Sequence, residues 1–134
     1  MYQNQHDKTN VEIVQADPRE ILRVAGISVD LPTFALAGVD EDGAIAVGGL
    51  AWGGGRTWLF FHMMRNEPRY RFKIIACAKR LFRQARQLGE TEVYTPRDAQ
   101  FETSERLLKL LGFEFFAEEN GIEIWRRDLW PHSH

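Results

Sequence analysis

An α/β (α+β) fold, with a mixed and mostly antiparallel sheet of about seven strands and helices on both of its faces, is what this sequence predicts. Three observations lead there. The chain has 134 residues, 44% hydrophobic, 12% aromatic and 27% charged, one domain's worth with enough apolar material to bury roughly two-thirds of its unfolded surface. Between Phe34 and Met63 short apolar stretches are separated by turns rich in Asp and Gly, as in consecutive antiparallel strands. From Phe72 to Leu88 apolar residues recur every three or four positions, the spacing of a helix stripe, and Phe101, Leu107, Leu108 and Leu111 give a second amphipathic helix an inward side.

In chain order, a polar leader (1–10) precedes a short strand from Val11 to Val14. Asp17-Pro18-Arg19-Glu20 reads as a helix start, with Asp17 as cap, Pro18 at the first helical position, Glu20 completing a capping box and Gly26 as the stop. A strand from Phe34 to Val39, the acidic turn Asp40-Glu41-Asp42-Gly43 and an apolar strand from Ala44 to about Trp52 form a hairpin. Gly53-Gly54-Gly55 turns the chain into a third strand, Thr57 to Met63, which completes a meander. The long helix runs from about Tyr70 to Leu88, with Phe72, Ile75, Ala78, Phe82, Ala85 and Leu88 on its inward stripe, Cys77 beside it and Gly89 as terminator. Glu92 to Thr95 is a short strand interrupted by Pro96, and a second amphipathic helix spans about Gln100 to Leu111, stopped by Gly112. Phe113 to Glu118 and Ile122 to Arg126 flank Asn120-Gly121, a two-residue hairpin signal. One domain thus covers 11–127, followed by a tail, 128–134.

Several function classes fall away. The apolar runs Leu31–Gly38 and Ala44–Trp52 are far shorter than the ~20 residues of a spanning helix. The polar start lacks the apolar stretch of a secretory signal, so a soluble, cytoplasmic protein is expected. Cys77 is the only cysteine and His6, His62, His132 and His134 form no HExxH pair, which argues against disulfide, zinc and other metal chemistry. The net charge is only −2, yet Arg65, Arg69, Arg71, Lys73, Lys79, Arg80, Arg83 and Arg86 face Glu67 alone between positions 65 and 86, a local +7. Such segregation suits phosphates or an acidic partner, or is simply a solvated helix face. With no stacking motif, the sequence argues against nucleic acid.

The element order, with Ala85-Arg86-Gln87-Leu88-Gly89 closing the long helix and Arg106-Leu107-Leu108-Lys109-Leu110-Leu111-Gly112-Phe113 leading into the last hairpin, resembles the GNAT family of N-acetyltransferases over roughly Val11 to Arg127. The resemblance implies acetyl-coenzyme A as cofactor and an amine acceptor. It further implies that backbone groups of Phe61, His62, Met63 and Met64 align the pantetheine arm, and that a Gln/Arg-x-x-Gly-x-Gly/Ala loop wraps the pyrophosphate at the helix N-terminus. The matching segment is Arg69-Tyr70-Arg71-Phe72-Lys73-Ile74. Arg69 fits, but Phe72 and Ile74 replace both glycines, so the backbone cradle is degenerate. Side chains of Arg65, Arg69, Arg71 and Lys73 are the available substitutes. Where members carry a general-acid tyrosine this chain has Leu108. His62 is the one titratable candidate for a base in the central strands; its apolar neighbours favour a structural histidine.

The small size, short N-terminal region and glycine-less loop also resemble GNAT-like proteins of short-tailed bacteriophages, some of which accompany virion assembly; this implies host cytoplasm and a protein partner. Two expectations therefore stand side by side: an acetyl-CoA-dependent N-acetyltransferase, and a catalytically inactive interaction protein on the same fold. The family resemblance makes a homodimer reasonable in either case.

Overall fold

The computed structural model describes residues 12–16, 33–63, 71–97 and 102–130. Nine elements follow one another: β1 (Glu12–Ala16), β2 (Thr33–Asp40), β3 (Gly43–Gly53), β4 (Arg56–Met63), α1 (Arg71–Gln87), β5 (Glu92–Arg97), α2 (Glu102–Leu110), β6 (Glu114–Glu119) and β7 (Ile122–Asp128). The seven strands form one sheet in the order β1-β2-β3-β4-β5-β7-β6. Every neighbouring pair is antiparallel except β4 and β5, which are parallel. The helix expected between Asp17 and Gly26 and the histidines at 6, 132 and 134 lie outside the described residues.

Alternation along the strands divides the sheet into two faces. Leu36, Leu50, Leu59 and Val93 share a core with Ala78, Leu81 and Phe82 of α1 and with Leu108 on α2, so both described helices pack on one face. The inward stripe of α1 is Cys77, Ala78, Leu81, Phe82 and Ala85. Phe72 and Leu88, expected on that stripe, are 73% and 53% exposed, because the apolar face covers only the middle of the helix. Both helices end in left-handed glycines, Gly89 (φ 88°) and Gly112 (φ 90°). The N–H groups of Glu90 and Phe113 reach back to the carbonyls of Ala85 and Leu108, the closure that glycine makes possible. Asn120 and Gly121 are also left-handed, at φ 55° and 79°, as the β6–β7 hairpin requires.

Two expected boundaries move. Pro96 does not interrupt β5, which runs on to Arg97 and pairs with β7 at every residue from Glu92 to Arg97. Beyond Tyr94, β4 is no longer in register on the other side, and a strand edge is where proline's missing N–H is tolerated. At the C-terminal end, the ordered body passes the expected limit at Arg127. Leu129 is 1% exposed in the core, its N–H donates to the carbonyl of Thr91 at 2.9 Å, and its own carbonyl accepts from Arg86. Trp130 donates its indole N–H to the carbonyl of Glu90. Among the described residues no helix is long and apolar enough to cross a membrane.

Candidate active site

The site begins with a break in the sheet. On one side β4 is in register with β3 at every position from Arg56 to Met63. On the other it meets β5 at a single pair among the described residues, Trp58 opposite Tyr94. Trp58 is the third residue of β4 and Tyr94 the third of β5. The β5-facing edge of β4 from Leu59 onward therefore has no strand in register with it. Backbone N–H and C=O groups are obligatory hydrogen-bonding groups, and a free strand edge accepts an extended chain that carries amides of its own. Because α1 follows β4 in the chain, the open end of this slot lies toward the N-terminal end of α1, where helix geometry favours negative charge.

Of the anticipated site residues, Phe61, His62 and Met63 lie on the C-terminal half of β4. Phe61 lies in β4 opposite Gly48, and its half-buried ring packs on the core at the α1 face. The backbones of His62 and Met63 lie in the same strand, opposite Val47 and Ala46. Met64, Arg65 and Arg69 lie outside the described residues. Arg71 opens α1, and no acidic residue sits in its first turn. Phe72 and Lys73 are both exposed. Lys73 borders a small apolar pocket lined also by Ile13, Gly38, Phe61 and Cys77. Burial pushes the Cys77 thiol up to about 11, which keeps it protonated and inert. Part of the basic helix has structural work: Arg80 donates to the carbonyl of Ile13 at 3.3 Å and Arg86 to that of Leu129 at 3.2 Å. Leu108, at the tyrosine position, is 9% exposed in the core.

A polar and aromatic cluster not anticipated from the sequence closes the slot on the face opposite α1. Arg56 makes two parallel hydrogen bonds to Glu119, at 2.8 and 2.9 Å. Its guanidinium lies 4.7 Å from the Tyr94 ring centre and 5.5 Å from those of Trp58 and Phe116. Tyr94 donates its hydroxyl to Glu92 at 2.7 Å. Arg126 stacks 4.7 Å over Phe116, with its Nε 3.8 Å from Glu92. The electrostatics follow from these contacts. The hydrogen bond from Arg56 holds the Glu119 carboxyl below the usual range, and Glu119 in turn raises Arg56. Burial, then the bond to Glu92, raises the Tyr94 hydroxyl against the opposing pull of Arg126. Tyr94 is therefore a neutral donor at ordinary pH.

The far wall is also tied down. Arg97, at the end of β5, is 7% exposed and bonds to Glu123 at 2.7 Å, with Glu105 of α2 at 3.8 Å. Glu123 also accepts from the Trp125 indole, and these bonds, Trp125's first, hold its carboxyl below the usual range. Thr57, buried near the start of β4, donates to the Glu90 carboxylate.

This seven-stranded, mostly antiparallel sheet with its helices matches the fold of solved GNAT-family structures. No protein-family model matches the chain, and none of the curated proteins matches it in sequence. Among solved structures it is similar to a GNAT-family acetyltransferase from Staphylococcus aureus Mu50, with a TM-score of 0.69 and 9% identity over 90% of this chain and 100% of that one. The IAA acetyltransferase from Bacillus cereus ATCC 14579 gives 0.69 and 13%, covering 89% and 99%. YncA from Salmonella typhimurium, whose structure includes its cofactor acetyl-CoA, gives 0.68 and 15%, covering 93% and 97%. At these identities the likeness is one of fold.

Proposed function

We propose that the chain binds acetyl-CoA in the slot between β4 and β5 and transfers the acetyl group to an amine. The observation that carries this reading is the single register pair at Trp58 and Tyr94, which leaves an edge of β4 for an extended amide-bearing arm. Backbone groups of Phe61, His62, Met63 and Met64 align that arm. Arg69, Arg71 and Lys73 hold the phosphates by side-chain bonds, because Phe72 and Ile74 fill the positions where glycines would expose backbone N–H groups. Bound acetyl-CoA supplies an activated acyl carbon; the chain contributes positioning, which by itself removes much of a transfer barrier. As the amide bond forms the acyl C–S bond breaks and coenzyme A leaves as its thiolate, while His62, whose backbone lies on the open half of β4, is the base for the acceptor's proton. The fit is good along β4 and altered at the helix start.

That alteration favours a second reading, a non-catalytic interaction protein on the same fold. Phe72 is 73% exposed at a position where the acetyltransferase pattern has glycine, and an exposed aromatic beside cations suits an acidic protein surface better than a phosphate. Calorimetric titration of acetyl-CoA into the wild type and into the Arg69→Ala, Arg71→Ala double variant separates the two. Saturable binding that weakens in the double variant is expected. No heat and no thermal stabilisation at millimolar acetyl-CoA would overturn the enzyme reading and leave the interaction protein.

A further inference from the structure

We infer that the closed end of the β4–β5 slot admits only a short acyl group and that Trp58 sets this limit; the inference rests on the acetyl-CoA reading above. Three walls meet at that end. In the plane of the sheet the slot stops at the Trp58–Tyr94 pair. On the α1 face lie Leu59 and Val93, 1% and 0% exposed in the packed core. On the opposite face the rings of Trp58 and Tyr94 stand 6.0 Å apart and tilted, bridged by the Arg56 guanidinium that lies over both. Phe116 backs Tyr94 edge-on at 5.3 Å.

This plug is braced from several directions. Glu119 holds Arg56 through two bonds, and the carbonyl of Gly53 accepts from the Trp58 indole at 3.2 Å, which orients its ring. From Met63 back to Trp58 the edge of β4 spans five residue steps, about 17 Å, and an arm entering at the open end meets the plug when that edge is used up. A two-carbon acyl group needs no room beyond it. A longer chain would have to displace the Trp58 ring or press into the packed core at Leu59 and Val93. Trp58 is the adjustable wall because it is half-buried, whereas removing Tyr94 would disturb its bond to Glu92.

The test is calorimetric titration of the full chain with acetyl-, butyryl- and octanoyl-CoA, for the wild type, Trp58→Ala and, as a variant that keeps apolar bulk, Trp58→Leu, with folding checked by thermal melts. The wild type is expected to bind acetyl-CoA at least roughly tenfold more tightly than octanoyl-CoA. Either folded variant is expected to narrow or reverse that ratio while still binding acetyl-CoA. Wild-type protein that binds octanoyl-CoA as tightly as acetyl-CoA would overturn the length limit and leave the acetyl-CoA reading standing. A wild type that binds none of the three would overturn both. Folded variants with an unchanged ratio would overturn the assignment to Trp58.

Discussion

The two sides of β4 are built in opposite ways. Toward β3 the strand is paired along its whole length, and the contact is tight enough that the Phe60 ring lies directly over Gly49. Toward β5 it is paired once, and a side-chain tie from β4 to the far half of the sheet runs from Arg56 to Glu119 of β6 on the face opposite α1. Backbone ladders close space, whereas side-chain ties can hold two strands at a fixed separation. The contrast explains how a central sheet can contain a slot and still be a single body.

The largest effect expected from perturbing this contrast is on the paired side. A Cβ at Gly49 would stand 2.5 Å from the carbonyl oxygen of Phe34 and 2.5 Å from the tip of Phe60. The backbone oxygen has no means of withdrawing, so Gly49→Val should destabilise the fold by about 3 kcal/mol, read as a drop in the denaturant midpoint with an unchanged m-value.

A smaller loss is expected from acid on the split side. Glu119 and Glu123 both titrate below the usual carboxylate range in the folded chain. Their contribution is thus complete above the unfolded value of about 4.3 and disappears as the pH falls through the lowered folded values. Thermal stability should fall as the pH drops from about 5 to about 3, with amide protection in β6 and β7 fading first. Glu123→Gln should remove part of that slope by taking away the carboxylate charge that pairs with Arg97. A slope unchanged in this variant would show that the Arg97 tie does not hold the far wall.

The smallest effect is expected at Pro96. If β5 is an edge there, Pro96→Ala restores an N–H that no ladder with β4 requires, and stability should change by no more than about 1 kcal/mol. A larger stabilisation would mean that the restored N–H pairs with β4 and the slot closes.

Much of the fold was legible because its signals are local. Turn residues at Asp42-Gly43, Gly54-Gly55 and Asn120-Gly121, and stop glycines at 89 and 112, each decide the chain's course over a few residues. The slot was not legible, because a missing register is a property of two strands about thirty positions apart. Its one local trace was Pro96, which read as the end of a strand but marks where β5 has become an edge. The Arg56 cluster was hidden for the same reason, since its two ends are 63 residues apart. A partial signal existed in Glu92 and Tyr94, two residues apart on a strand and so on one face. The phosphate end of the site was legible only in type: the cations and the missing glycines are plain in the sequence, but their geometry depends on residues before Arg71.

The claim that β4's unpaired edge seats the arm of acetyl-CoA is tested most directly by following backbone amide resonances of labelled protein during titration with acetyl-CoA. The largest shifts should fall on Leu59 to Met63 of β4 and on Thr95 and Arg97 of β5, with β1 and β2 unmoved. Saturable shifts confined to the basic face of α1, or none at millimolar acetyl-CoA, would contradict it.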